Sequence, residues 1–265
     1  LLSTSDPVPP PAERPPHIEV EGLTMAFGTR TLMERLTFSI NRGDVFVIMG
    51  GSGSGKSTLM RHLVGLHRPA LGAIRLGGTS FWDADPAEQQ ALQRRFGIMY
   101  QQGALWTSMT LAENVALPLG TYTTLERGAV AELAEFKLAL VGLGGFGGYY
   151  PSDISGGMRK RAAIARAMAL DPEILFLDEP SAGLDPISSR LLDDLILELR
   201  DSLGMTIVIV THELASIFAV GDNSVFLDTE TKTMIATGDP RWLVEHSDQA
   251  KVRTFLTRGA REQAA

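Results

Sequence analysis

The run Val45-Phe46-Val47-Ile48-Met49, followed by Gly50-Gly51-Ser52-Gly53-Ser54-Gly55-Lys56-Ser57-Thr58, constrains the fold of this 265-residue chain more than any other feature. A short, continuous apolar run bounded by glycines is what a strand buried on both faces requires. The glycine-rich stretch cannot prolong that strand, and residues from Ser57 to Gly65 carry helical spacing. Strand, glycine turn and helix in that order begin a parallel α/β sheet. Gly50 to Ser57 also fits G-x-x-x-x-G-K-[ST]. In that pattern the glycines let backbone N–H groups curl toward an anion at the positive end of the following helix. Lys56 then reaches the β and γ phosphates of a nucleotide, and the Ser57 hydroxyl takes a place on Mg2+. Thr58 completes the cradle. The competing reading, a flexible Gly/Ser linker, fails on the apolar strand before it and the helix after it.

A second strand strengthens the nucleotide reading. Ile174-Leu175-Phe176-Leu177-Asp178-Glu179 is an apolar run that delivers two carboxylates at its C-terminal end. That edge is where parallel α/β sheets place their ligands. Asp178 is predicted to hold the Mg2+ shell, and Glu179 to polarise an attacking water. Solvated acids at a strand end are common in themselves; beside a phosphate cradle they are read as catalytic.

Composition narrows what such a site serves. The chain carries 31 acidic and 24 basic residues, a net charge of −7, which argues against a protein built to hold nucleic acid. There are no cysteines, so disulfides, thiolate zinc sites and a thiol nucleophile are excluded. No apolar run approaches the roughly 18 residues needed to span a bilayer. Residues 1–16 hold six of the fourteen prolines and are predicted to form a disordered tail. Ile18, Val20, Leu36, Phe38 and Ile40 alternate with other residues as half-buried antiparallel strands do. Residues 103–154 carry helical periodicity broken by Gly144-Gly145-Phe146-Gly147-Gly148, a helix is predicted over 156–169, and Thr206–Val210 reads as a further buried strand after an amphipathic Ser188–Leu203. His62 and His67 are five apart, roughly 140° around a helix, and are read as ordinary helix positions rather than a metal pair.

Ile154-Ser155-Gly156-Gly157-Met158, with Arg161, lies about 100 residues after the phosphate loop and about 20 before Asp178. It resembles the L-S-G-G-Q-x-x-R signature of ABC ATPases. The other marks of that family occur in order: Phe27 where an aromatic stacks on adenine, Gln101 after Tyr100 at the Q-loop, Ser181-Ala182-Gly183-Leu184-Asp185 as the D-loop, and His212 after Val208-Ile209-Val210-Thr211 as the H-loop. Gln102 is adjacent, but alignment on the preceding aromatic favours Gln101. The resemblance covers residues 17 to about 240. It implies a P-loop NTPase (RecA-like) α/β fold with an antiparallel β subdomain and a helical subdomain over about 102–165, followed by a C-terminal extension, 241–265. It further implies ATP and Mg2+ as cofactors, with Glu179 and His212 catalytic and Ser57, Gln101 and Asp178 around the metal.

Ser155 and two glycines at a helix start form a second anion-binding nest. In the family, Ser155, Gly156, Gly157 and Met158 would act on the ATP of a partner subunit, with Asp185 at the same junction. The resemblance therefore implies a head-to-tail homodimer joined to transmembrane permease subunits at the cytoplasmic face of a bacterial inner membrane. Arg159, Lys160 and Arg161 are read as facing solvent or ATP on the helix after the signature. The S-G-G-M form, the Gln101-Gln102-Gly103-Ala104-Leu105 sequence and Asp185-Pro186 resemble the Mla and Mkl ATPases of lipid transport, which work with MCE-domain proteins and, in Mla, a STAS-domain partner. Leu184 departs from the Mla pattern, which leaves a sister MCE system open. A soluble ABC ATPase of DNA repair, chromosome organisation or translation is the competing class. The short interval between motifs, the missing cysteines and the single cassette weigh against it. Leu105 and Trp106 are read as a socket for a short permease helix, with Trp106 read alternatively as core of the helical subdomain.

Overall fold

The structure, a computed structural model, describes residues 15–262. Residues 1–14, most of the stretch expected to be a disordered tail, lie outside them. The first half of the chain forms β1 (Pro16–Phe27), β2 (Arg30–Asn41), β3 (Val45–Gly50), α1 (Lys56–Leu63), β4 (Leu71–Leu76), β5 (Thr79–Ser80), α2 (Pro86–Gln93) and β6 (Phe96–Met99). A helical segment follows, with α3 (Leu111–Tyr122), α4 (Arg127–Leu140) and α5 (Gly156–Ala167). The chain then forms β7 (Ile174–Asp178), α6 (Pro186–Leu203), β8 (Thr206–Val210), α7 (Leu214–Val220), β9 (Asn223–Asp228), β10 (Thr233–Gly238), α8 (Pro240–His246) and α9 (Ala250–Glu262).

The strands sort into two sheets. One is antiparallel in the order β2-β1-β4-β5; the other runs β10-β9-β3-β8-β7-β6, and all its pairings except β10 with β9 are parallel. Alternation along the central strands decides the layering, because successive side chains of a strand point to opposite faces. Phe46 and Ile48 of β3, Phe176 of β7, and Val208 and Val210 of β8 pack toward the antiparallel sheet and α1. Leu175, Leu177, Ile207 and Ile209 pack the other way, against α5 and α6. Burial on both faces explains why these strands read as continuous apolar runs.

Parallel pairing also puts the C-terminal ends of four strands on one edge. β3 there enters the glycine loop, β7 ends at Asp178, β8 leads to Thr211 and His212, and β6 leads to Tyr100 and Gln101. Capping explains where the flanking helices start. Asp185 accepts from the backbone N–H groups of Ile187 and Ser188 at 3.1 and 3.0 Å, with Pro186 in the first turn of α6. Thr110 and Glu113 close a capping box on α3.

In the C-terminal segment, Leu243, Val252 and Leu256 are buried against Val47, Met49, Ile217 and Phe226. Its apolar residues cover the outer end of the central strand β3, which sequence spacing alone did not reveal. One expectation needs correction: His67 is not on a helix. α1 stops at Leu63, the chain reverses through Gly65 at φ +75°, and the two imidazoles come to lie 5.6 Å apart. His62 Nδ1 bonds the Thr58 carbonyl at 2.8 Å.

At the opposite edge of the sheet, Glu173 ties the layers together. It accepts from Arg95 at 2.7 and 2.8 Å, from Arg42 at 3.3 Å and from His17 Nε2 at 3.2 Å. Burial holds the His17 imidazole below its usual range, so it stays neutral and its Nδ1 accepts from the Thr206 hydroxyl at 2.8 Å. Hydrogen bonding to Arg95, foremost, brings the Glu173 carboxyl down to about 2 from an unfolded value of 4.5. A depressed carboxylate stabilises the fold above its unfolded pKa, and that contribution is lost as pH falls through the folded one. Glu173→Gln is therefore expected to lower stability at pH 7 and to flatten its fall between pH 4.5 and 2. Because Glu173 is 44% exposed, solvent screening limits the effect to about 1 kcal/mol. Urea unfolding midpoints of both proteins across that range provide the measurement; parallel curves would contradict it.

Candidate nucleotide-binding site

The loop between β3 and α1 is shaped by its glycines at one unavoidable point. Gly50 sits at φ +147°, and a Cβ there would meet the Leu227 carbonyl oxygen of β9 at 2.4 Å. Only glycine lets β3 stay paired to β9 while the chain turns away into the loop. Gly50 through Thr58 then line an open cavity of about 810 Å3, together with Gln101, Glu179 and His212. The predicted phosphate cradle and three of the residues expected around the γ-phosphate thus meet on one cavity.

Charges in this cavity are incompletely matched. Lys56 Nζ donates to the Gly50 and Gly51 carbonyls at 3.0 and 3.1 Å. Burial pulls its pKa below the usual lysine range, against the opposing pull of Glu179 and Asp178. Asp178 is pushed up, mainly by burial, although it accepts from the Ser57 hydroxyl at 3.1 Å. One oxygen of Glu179, Oε1, accepts from His212 Nδ1 at 2.8 Å; the other, Oε2, is buried without a hydrogen-bond partner. An orphaned carboxylate oxygen, a half-buried ammonium and a hydroxyl–carboxylate pair are the donor set that a Mg2+-bound triphosphate and a water would satisfy. Hydroxyl and carboxylate oxygens are the ligands Mg2+ prefers, so the residues fit that ion.

Glu179 itself adopts φ +48°, a left-handed conformation that costs a non-glycine residue energy and concentrates at functional sites. Its N–H donates to the Val210 carbonyl at 2.8 Å, which fixes the turn after β7 against the end of β8.

Other predicted residues stand apart from the cavity. Ser155 caps α5, its hydroxyl accepting from the Met158 N–H at 3.2 Å, and none of Ser155, Gly156, Gly157 and Met158 lines the cavity. Gly156 and Gly157 face Leu184 and Ser188 at ordinary contact distances of 3.5 Å from a built Cβ. Packing within the chain would therefore admit side chains there. Asp185 is engaged as the α6 cap and also accepts from the Ser188 hydroxyl at 2.5 Å. Phe27 ends the first strand, 52% exposed, with its ring edge-to-face on His67 at 5.9 Å and outside the residues lining the cavity.

Within the Arg-Lys-Arg run after the signature, expected to face solvent or a nucleotide, Arg159 is exposed and Arg161 half-buried, whereas Lys160 departs from the expectation. Arg159 donates to the Ile154 carbonyl at 2.8 Å and Arg161 to that of Val141 at 3.4 Å. Lys160 is buried and donates to the carbonyls of Gln101 and Glu179. A cation flanked by two others on a polar helix start carries no sequence signal for burial, and only the placement of α5 reveals it. Leu32, Leu214 and Phe255 also line the cavity and escaped sequence reading, because apolar residues at that spacing are ordinary core candidates. Trp106 is 58% exposed, which removes the core reading for it, whereas Leu105 packs partly on the helical core. Asn114, fully buried, shapes that segment by accepting from the Trp106 N–H at 2.7 Å and donating to three nearby carbonyls.

Residues 33–182 match the family described as ABC transporter. The chain is 41% identical over 239 residues to the "Probable ribonucleotide transport ATP-binding protein mkl" of Mycobacterium tuberculosis, covering 90% of this chain and 66% of that protein. It thus spans about two thirds of the length of the mycobacterial relatives. It is 35% identical to the intermembrane phospholipid transport system ATP-binding protein MlaF of Escherichia coli, over 90% of this chain and 88% of that one. Among solved structures, cbiO1 from Clostridium perfringens, part of the ABC transporter complex cbiONQ, superposes with a TM-score of 0.80 at 26% identity, covering 94% and 99% of the two chains. The cassette MJ0796, solved as a dimer in a post-hydrolysis state bound to ADP and Pi, gives 0.74 at 27% identity over 84% of this chain and 98% of that one. With the phosphate loop, Gln101, Asp178, Glu179 and His212 gathered on one sheet edge, with the family match over residues 33–182 and with MlaF covered over 88% of its length, the chain belongs to the ABC transporter family of ATP-binding proteins.

Proposed function

We propose that this chain is the ATP-hydrolysing subunit of a bacterial envelope lipid transporter, acting as a head-to-tail homodimer beneath transmembrane permease subunits. One observation carries the reading. The phosphate loop, Gln101, Glu179 and His212 share a cavity, while the signature nest at Ser155 does not reach it. Half of a nucleotide enclosure is present in each chain, and a second copy arranged head to tail supplies the other half. The solved cassette dimer with ADP and Pi supports that arrangement.

In the proposed mechanism the loop N–H groups and Lys56 hold the β and γ phosphates. Ser57 and Asp178 would hold Mg2+, with Gln101 beside them, and the ion would supply positive charge to offset the charge that develops during transfer. Glu179 takes the proton of the attacking water through Oε2, and His212 keeps the carboxylate aimed by bonding Oε1. Phe27 offers an aromatic face to adenine. Met158 closes the signature turn toward the partner's nucleotide, and Asp185 anchors the junction between the two halves.

The phospholipid cargo named for MlaF, a relative matched over nearly its whole length, is favoured over the ribonucleotide cargo named for mkl. An MCE-domain protein and a STAS-domain protein complete the assembly on this reading, which places the subunit on the cytoplasmic face of the inner membrane. No helix among the described residues is long and apolar enough to cross a membrane.

Glu179→Gln is expected to retain ATP affinity while turnover drops about 10²–10⁴-fold, and an ATP-bound dimer should accumulate. Steady-state ATPase assays and size-exclusion chromatography with ATP measure both, and near-normal turnover would remove Glu179 from its role. Ser155→Arg puts a bulky cation in the nest. Each monomer should still bind ATP in a calorimetric titration, yet hydrolysis should fall to background; full activity would refute the shared site. Trp106→Ala should leave folding and ATP affinity unchanged, because the ring is exposed, and weaken co-purification with the permease about tenfold or more. Mass spectrometry of the complex isolated from membranes tests the cargo class as well: a sugar or peptide permease in it would sink the lipid assignment.

A further inference from the structure

Two lysines are buried among the described residues. Lys137 pairs with the carboxylate of Asp171, as a buried ammonium usually must. Lys160 makes no such pair. Its ammonium group is spent on two main-chain carbonyls, that of Gln101 and, at 3.2 Å, that of Glu179. Desolvating a lysine for backbone oxygens alone is costly. It is also geometrically specific, because it needs both carbonyls turned to one point.

Glu179 has unusual backbone, and so does the loop that follows Gln101. At φ +48°, Glu179 directs its carbonyl toward α5, where it accepts from Lys160 and from the Ala182 N–H at 3.2 Å. After Gln101, Gly103 and Ala104 take φ +72° and +49°, and their carbonyls accept from the Arg166 guanidinium at 2.8 and 2.6 Å. A Cβ on Gly103 would lie 3.2 Å from that of Ala163, so the loop is pressed closely against the helix. Helix α5 thus grips residues 101–104 at both ends, by Lys160 and by Arg166, six residues apart on the helix. Only the Lys160 end continues to the residue whose carboxylate bonds His212.

We propose that Lys160 is a positioning residue for ATP hydrolysis, a buried cation that locks the Gln101 loop and the strained Glu179 backbone to the helix bearing the signature. It touches neither nucleotide nor metal and acts through Glu179. Removing its donors frees the Glu179 backbone to relax toward an extended conformation, which swings Oε1 away from His212. Because Ser155, Gly156 and Gly157 open the same helix, a shift of α5 on engaging the partner's nucleotide reaches Glu179 through one side chain. The inference rests on the hydrolytic reading of the site given above.

Lys160→Met keeps the length and apolar stem but removes every donor. In the full-length chain kcat is expected to fall about ten- to a hundredfold, as loss of a charged hydrogen-bond donor implies. KM for ATP and Mg-free nucleotide affinity should stay within about twofold of wild type. Lys160→Arg, which retains donors, should recover a substantial part of kcat. A Lys160→Met/Glu179→Gln double variant should be no slower in single turnover than Glu179→Gln alone, since both losses pass through one carboxylate. If Lys160→Met proves unstable, Lys160→Leu, which also lacks donors, takes its place under the same criteria. Unchanged kcat in the folded variant, a raised KM at constant kcat, or losses that multiply in the double variant would overturn the proposal. A wild-type chain without ATPase activity overturns the functional reading as well, whereas active wild type with unimpaired Lys160→Met overturns this inference alone.

Discussion

Main-chain pairing of β3 with β8 and of β8 with β7 sets every distance in the candidate site. Val45 is in register with Ile207, and Ile174 with Thr206, so the ends of three strands arrive at one level. The phosphate loop leaves from the first, Asp178 and Glu179 from the third, and His212 follows the second. A slip of one residue in either pairing would exchange the two faces of a strand. Phe176 and Val208 would then face α5 and α6, and the carboxylates would move by about 3.3 Å. Burial on both faces makes such a slip prohibitively expensive, so the hydrophobic core guarantees the position of the chemistry.

Around this edge the site is kept under strain and under-satisfied. Glu179 holds a left-handed backbone, one of its oxygens lacks a partner, and burial acts against the charges of both Lys56 and Asp178. Each of these costs the isolated chain stability, and on the proposed reading each would be relieved by a bound anion, a metal and a water. Such a site is suited to binding energy being used for alignment rather than for attachment.

Helix α5 has a double allegiance. Its first residues point away from the chain's own cavity, while Lys160 and Arg166 hold the loop that enters that cavity. The apolar side of the same helix is buried with α3, α4 and the sheet through Ala162, Ala163, Ile164 and Ala165. On the proposed dimeric reading, such an element would be held by a neighbour at one end and by the Gln101 loop along its length, and would move as one body. That is the geometry needed for occupancy of one site to be felt at another.

How much of this was legible depends on the range of the interaction that writes it. Strand and loop around Gly50 to Ser57, the carboxylates at the end of β7 and the caps at Thr110, Ser155 and Asp185 are local: backbone conformation and a residue a few positions away suffice. They could be read from the chain as printed, and so could the separation of the signature from the phosphate loop, because motif order needs no coordinates. The burial of Lys160, the approach of His67 to His62, the exposure of Trp106 and the docking of Leu243, Val252 and Leu256 onto β3 were not readable. In each case the deciding partner is distant in sequence or belongs to a turn whose direction spacing does not encode. By itself the sequence determined the phosphate-loop pattern, the paired carboxylates at a strand end and the order of the motifs, since these follow from residue type at fixed short intervals. Only the tertiary structure decided which of them share a cavity and which cations hold them there, because parallel pairing and helix docking join segments that no local pattern connects.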